Sequence, residues 1–285
     1  MKGGTRFKVS GNRLPCAVAA FTAIAFVAVS LGAAAQQGAA PAPSSETAAP
    51  LAPKCSVGSD QARIETALPR VGFRLASGVP IRIVAIGSSS TAGAGASSPA
   101  ASYPSRLEGE LRLHFPGHDL TVLNRGVNGE EAPDMLARFE SGVIPEHPHL
   151  VLWQVGTNSL LRDRPLDAAA QVLHQGIARL KAVHADIVVV DPQFAPRVIA
   201  KSDVEPEVAL LAAVAKRENV GFFDRFALMR YWHEAKGLPF DAFVSPDGLH
   251  MNDWGYACFA KSLGVAIADA ASRPAAAVAA PRATR

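Results

Sequence analysis

Cysteine is scarce in this chain: three of its 285 residues are cysteine, and no pair has the CxxC spacing of a zinc or redox site. So few cysteines exclude a disulfide-dense scaffold, in which cross-links compensate for a small core. Charged residues are also few, at 19%, whereas hydrophobic residues make up 49%. Because disordered chains have the opposite balance, the composition predicts a folded protein with one sizeable core, in one or two domains.

Basic residues are concentrated at the start of the chain. Lys2, Arg6, Lys8 and Arg13 lie among the first 35 residues, which contain no acidic residue, so the rest of the chain holds 24 basic and 25 acidic residues. That balance lacks the basic footprint of a protein that binds phosphate backbones. We therefore expect no nucleic-acid partner.

The first 35 residues have the three parts of a secretory signal. After the basic residues comes an apolar run from Leu14 to Leu31, and small residues ending at Ala35 follow it. We therefore expect residues 1–35 to be a signal peptide cleaved after Ala35, which makes the protein exported, either periplasmic or secreted. Because the run is nearly long enough to span a bilayer, the alternative is an uncut N-terminal anchor. The cleaved form should have no membrane span.

Composition divides the remaining chain into a linker, a domain and a tail. Residues 36–54 are rich in Ala and Pro and predict an extended linker, residues 55–271 predict the folded domain, and residues 272–285 predict a disordered tail. In an oxidising compartment, Cys55 and Cys258 are candidates for one disulfide that ties the start of the domain to its last helix. The alternative is two buried free thiols.

Short apolar runs alternate with longer amphipathic segments through the domain. Each apolar run is nearly continuous, as expected for a parallel strand covered on both faces. The predicted strands are Ile81–Ile86, Leu120–Leu123, Leu150–Val155, Asp186–Val190 and Val220–Phe223. The predicted helices are Tyr103–His114, Ala132–Glu140, Leu166–His184, Val204–Glu218 and a last helix from about Asn252 past Leu263. This alternation predicts a three-layer α/β/α sandwich around a mostly parallel five-stranded sheet.

Four polar segments stand out. Three of them follow the first, second and third strands, and the fourth precedes the last helix. They are Gly87–Gly93, Asn124–Glu130, Gly156–Ser159 and Asp247–His250. Because the carboxyl ends of parallel strands share one edge of a sheet, we expect these segments to meet there. Together they hold serines, an Asp-x-x-His pair and amide donors, which are the parts of an acyl-transfer site.

A serine hydroxyl attacks a carbonyl efficiently only when a base takes its proton and N–H groups stabilise the oxyanion that forms. His250 is the candidate base, and Asp247, three residues away, is the candidate group that orients its imidazole. Candidate oxyanion donors are the backbone N–H of the serine, the N–H of Gly129 and the amide of Asn158. Spacing alone leaves open which serine of the run Ser88–Ser90 is the nucleophile.

The order and spacing of these segments resemble the SGNH (GDSL-type) hydrolases over nearly the whole domain. The resemblance implies a flavodoxin-like sandwich and the hydrolysis of carboxylic esters through a covalent acyl-serine. Carried over by position, Ser89 is the nucleophile, because it follows Gly87 by two residues as the family serine does. The residues assigned in this way are the triad of Ser89, Asp247 and His250 and the oxyanion donors Ser89, Gly129 and Asn158.

Two positions depart from the family pattern. Ser88 stands where the family usually has Asp, and Ser159 stands where it often has Asp. Neither is a member of the triad, so the chemistry should be retained. The polar network that shapes the loops should differ.

A glycine-rich turn after a first strand is also where nucleotide-binding folds hold phosphate. Here Gly87, Gly93 and Gly95 do not form GxGxxG, and no GK[ST] follows, so we expect no nucleotide. His147 and His149 lack a third ligand at a fixed spacing. We therefore expect no metal and no cofactor.

Two further polar residues reach the same edge and are candidates for substrate binding. Gln193 follows the fourth strand, where the alternative is a role in shaping the loop. Arg125 follows the second strand, where the alternative is an ion pair with Glu130 or Glu131.

The sequence thus predicts an exported serine esterase. It should hydrolyse carboxylic esters that carry small acyl or acetyl groups on a carbohydrate or lipid, so that its partner is a small-molecule or polysaccharide ester. The alternative is a non-catalytic, envelope-associated carbohydrate-binding domain on the same fold.

Overall fold

The computed structural model describes residues 54–55 and 62–274. The expected signal peptide, residues 36–53 of the expected linker and residues 275–285 of the expected tail lie outside the described residues. Ser272 is the last residue of the final helix, and Arg273 donates hydrogen bonds to the backbone carbonyls of Ile64 and Glu65. The tail boundary expected at Ser272 is therefore too early, because these contacts still hold the chain against the domain.

The centre of the domain is one five-stranded sheet in which every pair of neighbouring strands is parallel. The strands are β1 (Ile81–Gly87), β2 (Leu120–Gly126), β3 (Leu150–Gln154), β4 (Asp186–Val190) and β5 (Gly221–Phe223). Their order across the sheet is β2-β1-β3-β4-β5. This is the flavodoxin-like order, in which the direction of winding reverses between β1 and β3.

Helices connect the strands and complete the fold. They are α1 (Pro69–Ala76), α2 (Ser89–Ala92), α3 (Tyr103–His114), α4 (Ala132–Ala137), α5 (Phe139–Gly142), α6 (Thr157–Leu161), α7 (Leu166–Ala182), α8 (Pro196–Ile199), α9 (Val204–Arg217), α10 (Arg225–Arg230) and α11 (Asp253–Ser272). Short 3₁₀ turns lie at Pro99–Ala101, Ile144–Glu146 and Phe240–Ala242, and a π-helical turn lies at Tyr231–Ala235. No helix in the described part of the chain combines the length and the hydropathy needed to cross a membrane.

The core lies on both faces of the sheet. Along β1, Ile83 and Ala85 pack in one apolar cluster together with residues of α3 and α11. Val84 and Ile86 point to the opposite face and pack in a second cluster with residues of α4, α7 and α9. Because alternate side chains of one strand enter two separate cores, both faces must be covered by helices. The predicted three-layer sandwich is confirmed.

Most predicted boundaries lie within two residues of the structure, and two elements depart further. Strand β2 continues to Gly126, because Asn124, Arg125 and Gly126 remain paired with the last three residues of β1. The single helix expected over Ala132–Glu140 is divided into α4 and α5 at Arg138, which leaves the helical conformation. The guanidinium of Arg138 donates hydrogen bonds to the carboxylate of Glu130 and to the carbonyl of Arg125.

Cys55 and Cys258 form a disulfide in the structure, with Cα atoms 5.4 Å apart and a sequence separation of 203 residues. The bond ties the start of the domain to α11. Of the two alternatives that the sequence leaves open, the structure contains the bridge.

Candidate active site

The serine run lies where β1 turns into α2. Ser88 and Ser90 are each 2% exposed. The hydroxyl and the N–H of Ser88 both donate to Oε1 of Gln154, at 3.1 and 3.0 Å. Ser89 is the partly exposed member of the run, and its Oγ lies 2.7 Å from Nε2 of His250. Burial and bonding therefore single out Ser89, which spacing alone could not do.

The carboxylate of Asp247 contacts the other ring nitrogen of His250. Nδ1 of His250 lies 2.5 Å from Oδ2 of Asp247. The other carboxylate oxygen of Asp247 accepts hydrogen bonds from the N–H of Leu249, the N–H of His250 and the hydroxyl of Ser245, each at 2.9 Å. With Nδ1 facing a carboxylate, the proton of a neutral imidazole lies on that nitrogen, and Nε2 faces Ser89 as an acceptor.

The same hydrogen bonds keep Asp247 ionised. Burial by itself would raise the pKa of this carboxyl, but hydrogen bonds from the His250 side chain, from the N–H groups of His250 and Leu249 and from Ser245 lower the pKa well below its ordinary value. The carboxylate is therefore present at neutral and mildly acidic pH, where it favours the tautomer described above.

The three candidate oxyanion donors each have a hydrogen that no acceptor among the described residues uses. Ser89 is the first residue of α2, a position whose N–H has no partner within the helix. Gly129 has φ +80°, a backbone conformation that favours glycine. No hydrogen bond within the described part of the chain uses the N–H of either residue. Nδ2 of Asn158 donates one hydrogen to the carbonyl of Glu130 at 2.8 Å, which leaves its second hydrogen for another acceptor.

Arginines hold the loop that carries Gly129. Nη2 of Arg162 donates to the carbonyl of Gly129 at 3.0 Å, and its Nη1 lies 2.7 Å from Glu131. Glu130 is paired with Arg138 at 2.7 Å, with both side chains largely buried. The loop is thus fixed on both sides by charge-assisted hydrogen bonds.

The chain after α2 packs directly against the segment of His250. Gly95 has φ +85°, and a Cβ there would lie 2.5 Å from the carbonyl of Met251 and 3.0 Å from Cβ of His250. The start of α11 holds the same chain, because Asp253 accepts hydrogen bonds from the N–H and hydroxyl of Ser97, at 2.8 and 2.5 Å. These contacts set the distance between the serine turn and the histidine loop.

The two candidates for substrate binding are occupied by protein contacts. Gln193 is 1% exposed, and its amide bonds Thr157, Arg225 and the carbonyl of Leu249. It fits the loop-shaping alternative, because a buried amide bonded to three protein groups does not face a substrate.

Arg125 pairs with Glu146, with Nη2 2.6 Å from Oε1. The partners expected for it, Glu130 and Glu131, are wrong. Arg138 binds Glu130, whereas Arg162 and Arg164 bind Glu131, so neither carboxylate is left for Arg125.

Sequence reasoning missed the polar residues that support the site. Gln154 anchors Ser88 and also accepts a hydrogen bond from Thr91, and Ser245 donates to Asp247. Gln154 had a signal, because it is the single polar residue in the apolar run LVLWQV. Nothing in the sequence indicated Ser245, since its contact with Asp247 depends on the turn that the chain makes after it.

Among the described residues, this site includes no cluster of metal ligands, and the cavity of about 540 Å³ lies apart from it. Within the described residues, no group of three or more His, Cys, Asp or Glu side chains is arranged to hold a metal ion. A cavity of about 540 Å³ lies by Asp186 and Gly221, at the amino-terminal edge of the sheet and away from the triad. A smaller cavity of about 310 Å³ is lined by Ser159, Ala132 and Pro165, next to the helix that carries Asn158.

A family model described as the non-GDSL lipase-like family matches residues 54–273. The chain belongs to this family. Over 157 residues this family member is 26% identical to an arylesterase from Vibrio mimicus, and the alignment covers 52% of this chain and 70% of that protein. The family and this relative support carboxylic ester hydrolysis as the class of activity.

Solved structures share the fold of this non-GDSL lipase-like protein. The acetylxylan esterase Axe2 from Geobacillus stearothermophilus aligns with a TM-score of 0.56 and 21% identity, covering 66% of this chain and 94% of that one. A two-domain esterase active on acetylated mannans aligns with a TM-score of 0.63 and 19% identity, covering 79% of this chain and 59% of that one. At these identities the likeness shows the fold, and the predicted SGNH-type fold is confirmed.

Proposed function

We propose that this chain is an exported serine esterase that hydrolyses carboxylic esters through an acyl-serine intermediate. The observation that carries the proposal is the continuous contact of Asp247, His250 and Ser89, at 2.5 and 2.7 Å. The backbone N–H groups of Ser89 and Gly129, which no acceptor among the described residues uses, support it. A base that contacts the nucleophile and is oriented by a carboxylate is the arrangement that acyl transfer requires.

In the first half of the reaction, Oγ of Ser89 attacks the ester carbonyl while Nε2 of His250 takes its proton. The oxyanion accepts hydrogen bonds from the N–H groups of Ser89 and Gly129 and from Nδ2 of Asn158. The tetrahedral intermediate collapses, the C–O bond to the alcohol breaks, and the imidazolium of His250 protonates the leaving oxygen.

In the second half, His250 takes a proton from water, whose oxygen attacks the acyl carbon. The bond to Ser89 then breaks, the serine regains its proton, and the carboxylic acid leaves. Asp247 stabilises the imidazolium that forms in each half without taking its proton.

The proposed substrates carry small acyl groups, acetyl above all, on a carbohydrate or lipid. Two comparisons support this choice, since the named activities of the structural relatives concern acetylated xylan and acetylated mannan.

A panel of esters tests the proposal, using acetyl, butyryl and long-chain phenyl esters and acetylated xylan and mannan oligosaccharides. We expect the acetyl esters to be cleaved fastest and Ser89→Ala to lower kcat by at least about 1,000-fold while remaining folded. Full activity of Ser89→Ala would contradict the mechanism. Binding of the oligosaccharides without release of acetate would favour a carbohydrate-binding domain instead.

Export is tested separately, by expressing the full chain in a bacterium and determining the mass of the protein in each fraction. The basic, apolar and small-residue segments of residues 1–35 support cleavage after Ala35. We expect a product that begins at Gln36, outside the cytoplasm. A full-length membrane-bound protein would favour the uncut anchor.

A further inference from the structure

One buried side chain, Gln193, contacts both of the segments that carry the proposed catalytic groups. Oγ1 of Thr157 donates to Oε1 of Gln193 at 2.9 Å. Nε2 of Gln193 donates to the carbonyl of Leu249 at 3.1 Å. Thr157 immediately precedes Asn158, and Leu249 immediately precedes His250. A single amide therefore bridges the helix of the oxyanion donor and the loop of the base.

Arg225 determines which way this amide points. It is fully buried, and its Nη2 donates to Oε1 of Gln193 at 2.9 Å and to the carbonyl of Asp191 at 2.6 Å. A guanidinium only donates, so the amide oxygen must face Arg225 and the hydroxyl of Thr157. The amide nitrogen then faces Leu249. A flipped amide would place its NH₂ group against the guanidinium and its oxygen against a carbonyl.

We propose that Gln193 is a positioning residue for ester hydrolysis, a role that rests on the function proposed above. Its hydrogen bonds to Thr157 and Leu249 fix the separation between Asn158 and His250, and hence between the oxyanion donor and the base. Such a residue acts on the transition state, because a displacement of about 1 Å at a reacting group costs up to about 100-fold in rate. Its side chain is buried at 1% exposure, so we expect substrate binding not to depend on it.

Gln193→Glu is the main test, because it keeps the size of the side chain and an oxygen that accepts from Arg225 and Thr157. Its ionised carboxylate has no donor for the carbonyl of Leu249, so the bridge is broken on that side only. The assay extends to about pH 9, because a protonated carboxyl would still donate to Leu249. We expect kcat for a phenyl acetate to fall by about 10- to 100-fold and KM to stay within about twofold. The fluorophosphonate labelling rate of Ser89 should fall by a similar factor.

Thr157→Val breaks the other side of the bridge, because valine replaces the hydroxyl with a methyl group of similar size. If Thr157 acts through Gln193, the two effects on kcat are not independent. The double variant Gln193→Glu with Thr157→Val should then have a kcat within about threefold of the slower single variant. Independent effects that multiply would contradict the bridge.

Ser262→Ala is the matched control for the loss of a buried hydrogen bond. Ser262 is fully buried, and its hydroxyl donates to the carbonyl of Cys258 within α11, so its bond links no catalytic segment. We expect this variant to lose thermal stability and to keep the wild-type kcat.

The outcomes separate this role from the proposed function. The positioning role would be overturned by a folded Gln193→Glu protein whose kcat stays within about twofold of the wild type. It would also be overturned if the variant lost activity through a higher KM rather than a lower kcat. A folded wild-type protein that neither cleaves any ester nor reacts with the fluorophosphonate would overturn the proposed function, and the positioning role with it.

Discussion

Asn158 makes the oxyanion side of the site testable by a single change. Its Nδ2 donates one hydrogen to the carbonyl of Glu130, and the proposed mechanism assigns the other hydrogen to the oxyanion. Removing one such donor typically lowers kcat by about 100- to 1,000-fold, because the group acts in the transition state. We expect that loss for Asn158→Ala in ester hydrolysis, with little change in KM. Ser159→Ala, in the same helix, should keep kcat, and equal activity of the two variants would contradict the assignment.

Glu207 is a buried carboxyl that the proposed mechanism does not use. It is 1% exposed, its Oε1 has no hydrogen-bond partner, and it packs against Gly156. Burial raises the pKa of Glu207 to about 7, from 4.5. Between these two values the folded state holds a proton that the unfolded state has released. Stability therefore falls as pH rises from the lower pKa and levels off above the higher one.

Glu207→Gln removes this titration. As the pH rises from about 5 to about 8, the free energy of unfolding of the variant should increase relative to that of the wild type by on the order of 2 kcal/mol. Urea unfolding at the two pH values measures this difference. Glu205→Gln, an exposed carboxylate on the same helix, is the control and should show no comparable change. The same difference from wild type at both pH values would show that Glu207 does not titrate in this range.

The contact of Ser89, His250 and Asp247 was predictable because the order of these residues along the chain resembles that of a known family. Which serine of Ser88–Ser90 contacts His250 was not predictable from spacing, since it depends on which of them the fold buries. The partners of Arg125 and Gln193 were not predictable either. Each contacts segments tens of residues away, and the choice depends on which carboxylate or carbonyl the fold brings within reach.

Among the secondary-structure elements, the strands were the easiest to predict. A parallel strand covered on both faces is apolar along its length, which distinguishes it from the amphipathic helices around it. The bounds of β4 and α3 agree with the sequence prediction. The end of β2 does not, because Asn124, Arg125 and Gly126 look like a turn in sequence but remain paired with β1.

The contact of Gly95 with the histidine loop gives a prediction for that loop. A Cβ at Gly95 would lie 2.5 Å from the carbonyl of Met251, so alanine there must displace the segment that carries His250. We expect Gly95→Ala to lower kcat by about 10-fold or more in the same ester assay.

Gly78→Ala is the matched control for Gly95→Ala. Its φ of +62° imposes a similar backbone strain, but nothing lies within 4 Å of the added Cβ. It should lose about 1 kcal/mol of stability and no activity. Equal losses of kcat in the two variants would show that backbone strain, rather than contact with the loop, is responsible.

The topology of the domain explains why distant segments meet. Ser89 follows β1 and Asn158 follows β3, the two strands between which the winding of the sheet reverses. In open α/β sheets this reversal leaves a crevice outside the carboxyl ends of the strands. The loop of His250 reaches the same edge from the other side, held there by the start of α11.

The disulfide leads to a prediction for the stability of the entire domain. Cys55 and Cys258 are 203 residues apart, and closing so long a loop stabilises the folded state by up to about 5 kcal/mol in the chain-entropy model. We expect Cys55→Ser to lower the free energy of unfolding by about 2–5 kcal/mol in urea. Reductant should lower the wild type to a similar value and leave the variant unchanged. Free thiols at both cysteines of the unreduced, denatured protein would contradict the bridge.

The most direct measurement is reaction with a fluorophosphonate, followed by digestion and peptide mapping of the labelled residue. Only a hydroxyl that a neighbouring base activates attacks such a reagent rapidly at neutral pH. We expect one label per chain, on Ser89, and a rate that falls at least about 100-fold in His250→Ala. A folded protein that takes no label, or takes it on Ser88 or Ser90, would contradict the proposed arrangement of nucleophile and base.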